Sequence, residues 1–206
     1  MRKQLLHLLA YLPISLLIYT FLVSAIFAEK SNATESNCVY TYVLEAKDGA
    51  FVVSLLSNKT IEVPFNTTAT AQVTLKVPTG SFKVNNLKNL VEGVEFSQNG
   101  QSIAPEEAPD YDYIVFGLAS LGTRRLTYTA GEKLPLFSFE NSGKCTGNLI
   151  ELMENFTDPF YPPNKAKANV SQQITVAATG SDMSIVCIDQ PLISDCGKIM
   201  KKKRRK

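Results

Sequence analysis

Four carboxylates stand within one proline-bounded segment of this chain: Glu106, Glu107, Asp110 and Asp112, in Ala104–Tyr113. Two carboxyls at a suitable separation hydrolyse a glycosidic bond, and several carboxylate oxygens together hold Ca²⁺. The ligand spacing of an EF-hand loop is missing, and a solvated acidic loop accounts for the same residues. No metal ligand is therefore assigned and no cofactor is expected; Ca²⁺ is the alternative that this cluster leaves open. Most other chemistries lack their residues. The single histidine, His7, lies in an N-terminal apolar run, which excludes a Ser-His-Asp triad, a Cys-His pair and a His-ligated zinc or copper site beyond it. GxSxG, P-loop and dinucleotide glycine motifs are absent. The reading is a non-catalytic domain, with a carboxylate-based glycoside hydrolase as the remaining enzymatic alternative.

Aromatic residues accompany the carboxylates. Tyr111 and Tyr113 flank the acidic cluster, and Phe160 and Tyr161 stand in DPFYPPN, residues 158–164. Rings stack on sugar faces, although Trp is the usual choice and rings in strands are more often core. Loops vary freely while strands are committed to packing, and proline limits the freedom a loop loses on binding. The candidate ligand-binding residues are accordingly Asp110, Tyr111, Asp112, Tyr161 and Asn164. The chain alone leaves open whether the two loops adjoin.

The four cysteines are Cys38, Cys145, Cys187 and Cys196. An even number in an exported chain suggests two disulfides with three connectivities. The expected pairing is Cys187 with Cys196, closing a short loop, and Cys38 with Cys145. Five Asn-x-Ser/Thr sequons, at Asn32, Asn58, Asn66, Asn155 and Asn169, matter only in a glycosylating secretory route.

Elements outside the putting-together of a site bound where it works. Arg2 and Lys3 precede an apolar run from Leu5 to Ala28, the pattern of a signal peptide, with cleavage expected near Ala25 or Ala28. The run is also long enough for an uncleaved anchor. Either way residues 29 onward are expected outside the cytosol, as a secreted, periplasmic or membrane-anchored envelope protein. The expected organisation is export segment 1–28, linker 29–37, domain 38–197 and basic tail 198–206. Of 21 basic residues, two lie at Arg2 and Lys3 and six at 201–206, leaving 13 against 19 acidic ones. A body of that sign is a poor nucleic-acid binder. The tail Lys201–Lys206 is expected to be disordered, and an anionic membrane surface is its candidate partner.

From Cys38 onward the pattern is that of strands. Val73, Leu75 and Val77 alternate with Gln72, Thr74 and Lys76, which marks a half-buried strand. Further runs are Cys38–Leu44, Phe51–Leu56, Val94–Phe96, Tyr113–Leu118, Leu126–Thr129, Lys133–Phe139, Leu149–Met153, Ile174–Ala178 and Ser184–Ile188. Lys47-Asp48-Gly49 and Pro78-Thr79-Gly80 read as turns. Asn99-Gly100 reads as a tight hairpin, and Ala130-Gly131-Glu132 as another. Leu134 and Leu136 are even while Phe137 and Phe139 are odd, which predicts a bulge or a strand buried on both faces. Asn89–Glu95 and Leu149–Asn155 could each hold a helical turn. The expected fold is all-β, an antiparallel two-sheet sandwich of about nine strands behind the N-terminal hydrophobic export helix.

The runs TAQVTLKVPTGSF (70–82), GEKLPLFSFEN (131–141) and GNLIELM (147–153) resemble the strand pattern of cohesin-like and related carbohydrate-binding sandwich modules of bacteria. The resemblance covers about half of the expected mature chain. It implies a sandwich that binds a glycan or an envelope or surface protein, and it carries over no binding residue. The chain departs from that pattern in having no Trp and no dockerin-type repeat. Together these observations point to an exported binding or adhesion domain, with a structural, membrane-anchored envelope protein as the alternative.

Overall fold

The structure, a computed structural model, describes residues 38–47, 49–119, 124–143, 150–177 and 186–189. The expected export segment with Ala25 and Ala28, the linker, the basic tail, Cys145 and Cys196 lie outside the described residues. Among those described, no helix is long and apolar enough to cross a membrane.

Among the described residues, ten strands form two five-stranded sheets. The first has the order β10 (Val186–Asp189), β1 (Tyr40–Lys47), β2 (Ala50–Ser57), β7 (Lys133–Asn141), β4 (Val84–Asn89). The second has β5 (Phe96–Ile103), β6 (Tyr111–Leu118) and β3 (Thr68–Pro78) in order, with β8 (Glu151–Leu152) and β9 (Gln173–Val176) both pairing along β3. All ladders are antiparallel except β1 with β10, which run parallel.

Apolar alternation places Tyr42, Leu44, Val53 and Leu55 of one sheet against Val73, Leu75, Ile114 and Phe116 of the other in a single core. Phe137 and Phe139 stack into it at 5.0 and 5.4 Å from Phe116. The parity slip in β7 is a bulge: Val53 pairs with Phe137 but Ser54 with Pro135, so Leu136 is the extra residue and both it and Phe137 are buried. Gly49 and Gly80, at φ 89° and 69°, turn the chain where the sequence asks for turns.

Four expectations are corrected. Asn99-Gly100 is not a hairpin; β5 runs through it, and Asn99 is the extra residue of a bulge between Gln98 and Gly100. Gly117 makes the room, since a Cβ there would sit 2.1 Å from Asn99 Nδ2. Ala130-Gly131-Glu132 does not close a hairpin either. Tyr128, before it, bridges to Ile61, and Ala130 itself bridges to Ser57, instead of the chain folding back on β7. The disulfide joins Cys38 to Cys187, with Cα atoms 5.8 Å apart, in place of the expected Cys38–Cys145 and Cys187–Cys196 bridges. The cause is the parallel ladder of β1 and β10, which brings Cys187 beside the start of β1. Neither expected helical turn forms a helix: residues 91–93 make a plain turn, and β8 occupies 151–152.

Candidate functional site

Strand β6 is buried on both faces, which explains its unbroken apolar run. Ile114 and Phe116 face the main core, while Tyr113 and Val115 belong to a second cluster with Met153, Phe160 and Val170. The segment between β8 and β9 covers the outer face of the second sheet. The polar face of β3 is therefore its attachment seam and not a solvent face. Thr74 is fully buried and Gln72 nearly so.

Gln172 carries much of that seam. Its side-chain amide donates to Thr74 O at 2.6 Å and Met153 O at 3.0 Å, and its Oε1 accepts from Thr74 N at 3.1 Å. A side chain here imitates a ladder strand, which satisfies backbone groups that burial would otherwise leave unpaired. Gln72 Nε2 donates to Ser171 O, and Thr74 Oγ1 donates to the same carbonyl at 2.9 Å.

This packing brings the two proline-containing loops together. Lys165 donates its main-chain N–H to Glu107 Oε1 at 2.6 Å and pairs its ammonium with Glu106. Tyr113 donates its hydroxyl to Asp158 Oδ1 at 2.7 Å, and Phe160 N donates to the same oxygen at 2.9 Å. Burial, then the Asp158 carboxylate, pushes the Tyr113 phenol far above its ordinary range. Lys76 lies between Asp158 Oδ2 at 3.0 Å and Glu151 Oε1 at 3.4 Å, with its ammonium 4.3 Å from the centre of the Tyr111 ring.

The five sequence-derived residues divide by environment. Asp112 is buried, and its carboxylate accepts from Gly80 N at 2.9 Å and Ala104 N at 3.0 Å, fixing two turns. Asn164 is likewise occupied, donating to Phe160 O and Ala168 O and accepting from Ala168 N. Asp110 is exposed, and its carbonyl holds Thr79 N at 2.9 Å. Tyr111 and Tyr161 are half-buried against the second cluster. No group of three metal-ligating side chains occurs among the described residues, and the carboxylates of the 104–113 loop divide between backbone, lysine and solvent.

Phe156 is the residue that sequence reasoning passed over. It is 70% exposed, has φ 69°, and packs at a tilt against Tyr161 with ring centroids 4.9 Å apart and planes at 50°. Positive φ in a bulky residue is an outlier that the surroundings must impose. The residue before it, Asn155, is pinned, donating to Gln172 O at 2.7 Å and accepting from Gln172 N at 2.8 Å. The run Asn155–Tyr161, with three aromatics in seven residues, was the available signal.

No family model and no curated protein matches this chain. Among solved structures, the seventh ScaB type I cohesin from Pseudobacteroides cellulosolvens is similar at a TM-score of 0.35 and 11% identity, over 74% of this chain and 87% of that one. A likeness this slight carries no argument about partner or site.

Proposed function

We propose that this chain is a non-catalytic, extracytoplasmic binding domain whose partner meets the joined loops through Phe156 and Tyr161. The observation that carries the reading is Phe156 itself: a large apolar ring held out in solvent, in a backbone conformation that only its surroundings sustain. A residue of that kind contributes nothing to the core, and strain concentrates at functional positions. Glu154, exposed and two residues before Phe156, supplies a polar rim. Such an aromatic anchor within a polar rim is the anatomy of a binding hot spot.

The geometry favours a protein partner over a glycan. A sugar face packs best on a flat platform, whereas planes at 50° form a notch suited to an apolar side chain. The Cys38–Cys187 bridge and the N-terminal charge and apolar pattern support the extracytoplasmic location.

Selection of displayed peptides on the folded domain tests this reading, with a glycan array in parallel. Peptides carrying a bulky apolar residue, and losing affinity for the Phe156→Ser, Tyr161→Ala variant, are the expected outcome. Glycan retention that depends on the same two rings would replace the protein partner by a sugar. Binding indifferent to both rings overturns the site.

A further inference from the structure

We propose that Lys76 and Asp158 condense into an intramolecular amide, with Glu151 relaying the proton. This inference is independent of the binding reading. It starts from an ion pair unlike the others described here. Lys133–Glu45 and Lys165–Glu106 are largely exposed on both sides, whereas the Asp158 side chain is 2% exposed and Lys76 16%. The nucleophile, the electrophile and a second carboxylate also meet at one point. Lys76 Nζ lies 3.0 Å from Asp158 Oδ2 and 3.4 Å from Glu151 Oε1.

The partners are held, not merely close. Lys76 stands inside β3, paired with Tyr113 of β6 on one side and Glu151 of β8 on the other. Asp158 is fixed by Tyr113 and Phe160 N, both donating to Oδ1. Fixing two reactants at contact distance turns a bimolecular condensation into an effectively unimolecular one. The Tyr111 ring shields the amine. Beside it lies a cleft of about 360 Å³ lined by Glu151, Glu154, Thr157 and Asp158, through which a product water leaves.

The step balances without any further reactant. The Lys76 ammonium passes one proton to Asp158 Oδ2, giving an amine and a carboxylic acid. The amine nitrogen attacks Cγ and forms the N–C bond. The charge that develops on Oδ1 meets the Tyr113 hydroxyl and the Phe160 N–H, two preorganised donors. Glu151 takes a proton from the attached nitrogen and returns it to the Oδ2 hydroxyl. The Cγ–Oδ2 bond breaks, one water departs, and a neutral amide remains in place of a cation and an anion. Burial pulls Lys76 downward, but the Asp158 and Glu151 carboxylates outweigh it and hold the ammonium above the ordinary lysine value. The ion pair is thus the resting form, the reactive neutral pair is the minor one, and the bond accumulates after folding.

Peptide mapping of the reduced, denatured full chain, fresh and after prolonged incubation, tests the proposal. Trypsin cuts after free lysine and not after an amidated one. The expected product is a branched species joining the Lys76 and Asp158 peptides, lighter than their sum by one water and increasing with incubation. Lys76→Arg should abolish it. Glu151→Gln, at a half-buried site, should fold and form it about a hundredfold more slowly. Complete cleavage after Lys76 in the aged protein, with no branched species, overturns the proposal and leaves an ordinary ion pair. Equal rates in Glu151→Gln and the parent would overturn the relay.

Discussion

Tyr113 donates its hydroxyl hydrogen to Asp158 at 2.7 Å, with both residues buried, and so joins β6 to the segment that covers it. Removing a donor from a buried carboxylate costs more than the bond is worth in isolation, because the acceptor stays dry. Tyr113→Phe keeps the ring contact with Phe160 and should lower unfolding free energy by about 1–3 kcal/mol. Urea unfolding measures it; an unchanged midpoint would mean the contact is absent in solution.

Gln172 offers a second test of the same attachment. Gln172→Leu preserves volume but leaves Thr74 N, Thr74 O and Met153 O without the partners that its amide provides. A loss of about 3 kcal/mol is expected, together with faster proteolysis within residues 153–171. Hydrogen exchange should show β1 and β2 keeping their protection while this segment loses it.

The Cys38–Cys187 bridge ties the start of β1 to edge strand β10 across 149 residues. A non-reducing peptide map should recover that pair. Reduction should destabilise the domain by about 2–5 kcal/mol. Recovery of a Cys187–Cys196 peptide would contradict the parallel ladder as well as the bridge.

Alkaline pH should unfold the domain cooperatively. Burial raises Tyr42, Tyr113 and Tyr128 well above the ordinary tyrosine value of 10.0. A raised folded pKa means the folded state holds its proton more tightly. The stability linked to it is fully present below 10.0 and is lost as pH climbs toward the folded values. The tyrosinate absorbance of these three rings should therefore appear together with loss of the β-sheet circular dichroism signal. A single step near the ordinary value with the fold intact would contradict this burial.

Much of the fold was legible because it depends on local pattern. The alternation in Gln72–Val77 marked β3, and the parity slip at Leu136 marked a bulge. The errors came from tertiary contacts. Asn99-Gly100 has the chemistry of a tight turn, but the gap over Gly117 accommodates Asn99 as a bulge inside a continuous strand. The cysteine pairing depended on a parallel ladder between the two ends of the domain, which spacing cannot reveal. At the candidate site, sequence identified both loops, and folding brings them together through Lys165 and Asp158. It could not separate side chains that hold backbone, as Asp112 and Asn164 do, from rings left in solvent. Phe156 escaped notice because its exposure is set by tertiary structure and not by its own residue type.

The central claim is that Phe156 and Tyr161 form the contact surface, and calorimetric titration of a selected peptide tests it most directly. Wild type, Phe156→Ser and a control in a different loop, Phe65→Ser, should be compared, since Phe65 is also exposed, at 59%. Phe156→Ser should weaken Kd by at least about tenfold, a loss of about 1.4 kcal/mol, while Phe65→Ser leaves it unchanged and all three proteins unfold at similar temperatures. Equal Kd values for wild type and Phe156→Ser, with the fold intact, would contradict it.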